Sequence, residues 1–64
     1  MNDGMSTYEI TGSDLGQRSY LSGLIGLLIW KRLDGQTWNV TVPDEHCDTV
    51  NEWAEERNLP CRLI

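Results

Sequence analysis

Six carboxylates fall within a stretch of thirteen residues: Asp44, Glu45, Asp48, Glu52, Glu55 and Glu56. Acids at that density could form a general acid–base pair, a cation site or a docking surface for basic groups. Their spacing separates these options. Residues 43–57 read as an amphipathic helix. With an advance of about 100° per residue, all six acids occupy an arc of about 120°. Trp53, His46, Arg57, Val50, Ala54 and Cys47 occupy the opposite arc. A carboxylate pair on a convex helix face has no cleft from which water is excluded, so acid–base catalysis is disfavoured.

Other chemistry is equally poorly supplied. His46 and Cys47 are adjacent, Cys61 is expected to be remote, and no Cys-x-x-Cys, His-x-x-x-His or EF-hand spacing occurs. His46 reads as a partly buried helix residue. A nucleophile needs a nearby base and an orienting group, and this single histidine is flanked by acids. Gly23-x-x-Gly26 lacks the Lys-Ser/Thr ending of a phosphate loop. The expectation is no catalytic residue, no metal ligand and no cofactor, hence no enzyme.

Docking remains. Outside the helix the chain has four acids (Asp3, Glu9, Asp14, Asp34) and four bases (Arg18, Lys31, Arg32, Arg62), which cancel. The helix, with six acids and Arg57, therefore carries the whole net charge of −5. Asp44–Asp48, Asp48–Glu52 and Glu52–Glu56 are like-charge i,i+4 pairs, each costing about 0.2–0.5 kcal/mol at low salt. The helix dipole favours anions near the first turn and so accounts for Asp44, Glu45 and Asp48. It does not account for Glu52, Glu55 and Glu56. Acids retained against local stability fit a surface for a basic partner; the competing reading is a solvated face that maintains solubility. Acids four residues apart are separated by about 6 Å of rise. That is of the same order as the spacing of phosphates on a DNA strand, whose duplex carries one charge per ~1.7 Å over both strands. Carboxylates and phosphates also share bidentate hydrogen bonding to Arg.

Sixty-four residues make one small domain, 1–64, with residues 1–5 expected to fray. Such a chain buries only about 60% of its unfolded surface. The first residues are neither basic nor apolar, so no secretory signal is expected, and the apolar run from Tyr20 to Trp30 is eleven residues long, against about 20 for a bilayer span. No membrane segment is therefore expected. Cys47 and Cys61 should sit towards opposite ends of the second helix, too far apart for a disulfide, which favours free thiols and a reducing cytoplasm.

The elements that position the acids follow from local pattern. Residues 6–10 alternate as a first strand. Thr11-Gly12-Ser13-Asp14 reads as a turn followed by an N-cap candidate, and a helix can run from Ser13 to about Gly26. Its apolar face would be Tyr20, Leu21, Leu24 and Ile25, opposite a small-residue face of Gly16, Ser19, Ser22, Gly23 and Gly26. Residues 27–33 and 36–42 flank Asp34-Gly35, which favours a two-residue type I′ hairpin. That register pairs Leu33 with Gln36, Lys31 with Trp38, Ile29 with Val40 and Leu27 with Val42. It places Leu27, Ile29, Leu33, Trp38, Val40 and Val42 on the core face. Trp30 is left on a polar face with Leu28, Arg32, Thr37, Asn39 and Thr41, where it would anchor a partner. Pro43 starts the acidic helix, Asn58 caps it, Pro60 stops it, and residues 59–64 give a last strand. Leu24, Trp38, Val40, Val50 and Trp53 are the expected core. The fold class is α+β: a β-α-β-β-α-β ferredoxin-like miniature, an antiparallel sheet packed by two helices.

Five bases that form no stripe, with a net charge of −5, argue against direct nucleic-acid binding. In length, in α/β order and in the row Asp44, Glu45, Asp48, Glu52, Glu55 and Glu56, the chain resembles small acidic phage-encoded anti-CRISPR proteins, the DNA-mimic type directed against type I systems. The resemblance implies a monomeric inhibitor in the bacterial host cytoplasm. Its acidic helix, with Trp30, would occupy the basic groove through which a type I surveillance complex takes in target DNA. The alternative is an acidic interaction module, or an antitoxin-like partner of a basic protein, unrelated to DNA.

Overall fold

The computed structural model describes residues 4–26 and 28–64. Strand β1 (Met5–Thr11) leads to helix α1 (Leu15–Ile25), then β2 (Ile29–Arg32), β3 (Thr37–Pro43), a 3-10 turn (Asp44–His46), α2 (Cys47–Glu56) and β4 (Cys61–Leu63). The domain is α+β, with the expected β-α-β-β-α-β order. Its four strands lie in the order β2-β3-β1-β4, and each neighbouring pair is antiparallel. It follows that β1 and β2 run parallel with β3 inserted between them, and β3 and β4 likewise enclose β1. The two helices are the crossovers of these split β-α-β units.

Local chemistry fixes the helix ends. The Asp14 carboxylate accepts the Gln17 N–H at 2.7 Å, and the Gln17 side chain accepts the Asp14 N–H at 2.9 Å. This capping box satisfies two N–H groups that the first turn cannot. Helix α1 ends at Gly26, whose φ of +83° suits glycine alone and whose N–H returns to the Ser22 carbonyl at 2.8 Å. Helix α2 ends as Asn58 predicts: its φ is +56°, and the Leu59 N–H reaches back to the Ala54 carbonyl at 2.9 Å. The expected fraying of residues 1–5 fails at its inner end. Met5 begins β1, and the Gly4 carbonyl accepts the Asp44 N–H at 2.8 Å; residues 1–3 lie outside the described residues.

The hairpin register differs from expectation by one residue. Ile29 pairs with Thr41, Trp30 with Val40, Lys31 with Asn39 and Arg32 with Trp38. The expected Leu27–Val42 pair lies outside the described residues. A one-residue slip exchanges the two faces of β2. Ile29 is consequently 62% exposed and Leu33 46%, while Trp30 turns towards the helices. The loop drives the slip. The Asp34 carboxylate accepts the N–H groups of Gln36 and Thr37, each at 2.8 Å, holding a longer loop in which Leu33 N–H bonds the Thr37 carbonyl at 2.9 Å. Gly35 does not take the positive φ that a type I′ turn requires. Burial does not oppose it: half of an indole's roughly 150–250 Å² is worth about 2–3 kcal/mol at ~25 cal/mol/Å², comparable with about 1.5–3 kcal/mol for isoleucine, and the Trp30 N–H gains Ser22 as a partner. The backbone bonds hold the Asp34 carboxyl below the usual carboxylate range. Its contribution is therefore complete above the unfolded carboxyl pKa and disappears as pH falls through the folded one. Asp34→Ala should lower the Tm at neutral pH, and thermal melts should show the gap to wild type closing in acid.

The core consists of Tyr8, Ile10, Leu21, Val40, Val42, Val50, Trp53 and Ala54. Val40, Val50 and Trp53 are buried as expected, and Trp38 is half-buried. Leu24 is a correction: it is 52% exposed and Tyr20 54%, so of the expected apolar face of α1 only Leu21 and Ile25 turn inward. The reason is volume. Trp30 and Trp53 already fill the space beneath α1, their rings 6.4 Å apart. The small Ser22 side fits over them and accepts the Trp30 indole N–H at 3.0 Å. The sheet's other face is polar, with a Thr7–Thr41 hydroxyl pair at 2.9 Å and an Arg62–Glu9 ion pair at 3.0 Å.

Candidate functional site

The acidic segment is two structures joined. Asp44 and Glu45 lie in the 3-10 turn, and Asp48, Glu52, Glu55 and Glu56 on α2. A 3-10 turn advances by 3.0 residues per turn, so Asp44 leaves the α-helical row. Its carboxylate accepts the Ser6 hydroxyl and its N–H is held by Gly4, which ties it to the start of β1. Glu45 approaches His46 Nε2 at 3.5 Å. The expected continuous row of six becomes a row of four, with Asp44 tied to β1 and Glu45 beside His46, and all six remain exposed.

The row of four forms because the opposite side of α2 is committed. Val50, Trp53 and Ala54 are buried against the sheet. Trp53 sends its indole N–H to the Gln17 carbonyl of α1 at 3.0 Å. Arg57, the segment's single base, folds away from the acids. Its guanidinium stacks 4.8 Å from the Tyr20 ring centre and 5.8 Å from that of Trp53, and it donates to the Trp53 carbonyl at 3.1 Å. There it faces the negative end of the α2 dipole and clamps α2 to α1. It touches the row only at Glu56, at 3.5 Å. No base crosses over to neutralise Asp48, Glu52 or Glu55 among the described residues.

Trp30 is not on the polar face where the expected register placed it. It stands on the helix side of the sheet, half-buried and bonded to Ser22, with its ring 6.3 Å from that of Trp38 in an edge-to-face contact. It does not share a surface with the acids. Instead it lines a cleft of about 280 Å³ with Leu15, Arg18, Ser19, Ser22 and Trp38. Sequence reading did not single out Arg18, which stacks 4.2 Å above the Trp38 ring centre. No local pattern signals that contact, because the two residues meet only when α1 crosses β3.

Beneath α2, Tyr8 is buried and pushed up to about 12, first by burial and then by its hydrogen bond with the Cys47 side chain. Cys61 is also within electrostatic reach of Tyr8, and burial pushes its thiol up. Both cysteines are free and half-buried. Each borders Tyr8 from a different element, Cys47 from the start of α2 and Cys61 from β4. The neutral phenol is favoured by folding. Stability is therefore complete below the unfolded tyrosine pKa near 10 and is lost as pH rises from there towards 12. Alkaline melts should show this decline, and Tyr8→Phe should flatten it. Among the described residues no cluster of three His, Cys, Asp or Glu side chains could hold a metal ion. No helix of the described residues is long and apolar enough to cross a membrane.

Comparison with known proteins adds the architecture alone. No family model matches the chain, and no curated protein matches it. Among solved structures, the whole chain is similar to part of the crystal structure of carboxypeptidase A from Helicoverpa armigera, with a TM-score of 0.70 and 15% identity. The match spans 100% of this chain and 17% of that one. At that identity the likeness is one of fold.

Proposed function

We propose that this protein is an acidic protein-binding inhibitor that mimics DNA, its α2 face filling a basic groove that otherwise holds a phosphate backbone. The observation that carries the reading is the row Asp48, Glu52, Glu55 and Glu56, exposed on one side of α2 while Arg57 is drawn off onto Tyr20 and Trp53. Asp48 to Glu56 covers about 12 Å of helix. Four charges over that length approximate the one charge per ~3.4 Å of a single DNA strand. The partner of this chemistry is a groove of Lys and Arg, and the proposed one is the target-DNA groove of a type I CRISPR surveillance complex in the bacterial cytoplasm. Asp44 and Glu45 extend the charge towards β1 as a separate contact.

A second reading has one observation in its favour. The 3-10 turn interrupts the phosphate-like row, and a compact row of four also suits a small basic protein with no DNA groove, as in an antitoxin-like pairing. One experiment separates the two. The purified protein is mixed with a type I complex, and target duplex is added in excess. Under the proposal, protein and duplex exclude each other. Failure to bind the complex, or simultaneous binding of both ligands, overturns mimicry.

A further inference from the structure

The edge of the sheet opposite β4 has a composition unlike that of the acidic surface. Three of the chain's five bases gather there: Arg18 over Trp38, with Lys31 and Arg32 on β2. None has a carboxylate ion-pair partner among the described residues. Arg18 donates to the Ser13 carbonyl and hydroxyl at 2.6 and 3.0 Å. Arg32 donates to the Asp34 carbonyl at 3.0 Å, and the nearby Asp34 carboxylate is already engaged by the loop N–H groups.

Strand β2 is an edge strand, paired only with β3. Antiparallel ladders alternate inward and outward backbone bonding. Since Leu33 N–H bonds the Thr37 carbonyl, Lys31 and Ile29 also direct their backbone groups towards β3. Trp30 and Arg32 then point theirs outward. The free edge thus offers N–H and C=O groups at Trp30 and Arg32, beside the cleft lined by Trp30, Trp38 and Arg18. Lysine and arginine on an edge discourage pairing with a like-charged strand. The same charges select an acidic one.

We infer that β2 is a strand-addition site for an extended acidic segment of a partner protein, seated with alternate side chains in the Trp30–Trp38 cleft. The register specifies its pattern. A segment running antiparallel to β2 meets Arg32, Lys31, Trp30 and Ile29 in turn, so it carries acid, acid, apolar, apolar. The acid opposite Arg32 lies on the cleft side with Arg18, and the acid opposite Lys31 on the open side of the sheet. Main-chain bonds supply affinity and the alternate side chains supply selectivity. A strand matches the outward N–H and C=O groups of Trp30 and Arg32, which a nucleic acid does not.

The test titrates isotope-labelled protein with an end-blocked Thr-Glu-Glu-Val-Val-Thr peptide, followed by amide and indole resonances. Shifts should appear across Ile29–Arg32 and at the indoles of Trp30 and Trp38, and not on α2. Lys31→Glu with Arg32→Glu should weaken binding at least tenfold, about 1.4 kcal/mol. Arg18→Gln, remote from the strand backbone, should weaken it less without altering β2. N-methylation of the peptide residue opposite Trp30 should abolish binding, and of that opposite Lys31 should not. Absence of shifts at high peptide concentration overturns the proposal, as does equal binding of a Lys-Lys-Val-Val peptide. Shifts centred on α2, indifference to N-methylation, or displacement of the peptide by a single-stranded oligonucleotide also overturn it.

Discussion

Trp53→Ala should leave the protein largely unfolded at room temperature. The side chain is 2% exposed and joins three parts of the molecule. Its indole bonds the Gln17 carbonyl of α1 at 3.0 Å, its ring meets that of Trp30 on β2, and Arg57 stacks against it. Truncating a buried tryptophan costs about 3–5 kcal/mol. A domain's whole stability is about 5–15 kcal/mol, and a chain this short lies at the low end because it buries a smaller share of its surface. The loss thus approaches the total. Trp53→Phe retains most of the volume and should remain folded, weakened by the lost indole bond at about 0.5–1.5 kcal/mol, since the Gln17 carbonyl keeps its place in the α1 ladder. Circular dichroism melts of the two variants check this. A cooperative transition near wild type for Trp53→Ala would show that α2 is held by something other than its tryptophan.

Replacing Asp48, Glu52 and Glu55 together with Lys should abolish partner binding while the fold survives. The three side chains are exposed and make no cross-element ion pair. The change exchanges the Asp48–Glu52 repulsion for a Lys–Lys one, turns Glu52–Glu56 from repulsion to attraction at about 0.2–0.5 kcal/mol, and sets a cation against the dipole in the first turn, so the melt should stay close to wild type. Binding should fall beyond detection because three attractive contacts become repulsive, and like-charge juxtaposition across an interface costs several kcal/mol. Wild-type binding should also weaken steeply between about 50 and about 500 mM salt, since exposed charges are screened beyond about 8–10 Å at ordinary ionic strength. Normal binding by the triple variant would make the row a solvated face. Asp44→Asn should affect binding far less, because that carboxylate is already held by Ser6.

The parts of this protein governed by near neighbours in the chain were legible in its sequence. Strand alternation, Asp14 and Gly26 around α1, Pro43 before α2, and Asn58 and Pro60 after it all act within a few residues. They placed the elements and their order. The inward face of α2 was equally plain, because Val50, Trp53 and Ala54 repeat at helical spacing and the acids fill the remaining arc. What depended on competition between distant groups was decided only in three dimensions. Asp34-Gly35 favours a two-residue turn, but the choice lay between burying Trp30 and burying Ile29, and that depends on Trp53 and on the small side of α1 above. The slip turned Trp30 from an expected surface anchor into the floor of a cleft and left Leu24 in solvent. The continuous row of six acids was broken by a backbone bond between Asp44 and Gly4, forty residues apart in the chain. Lys31 and Arg32 are neighbours in the chain, but Arg18 joins their edge only because α1 crosses β3. Local propensity determines which segments are helix or strand; side-chain volume and long-range pairing determine which face of each segment meets the core and which charges become neighbours.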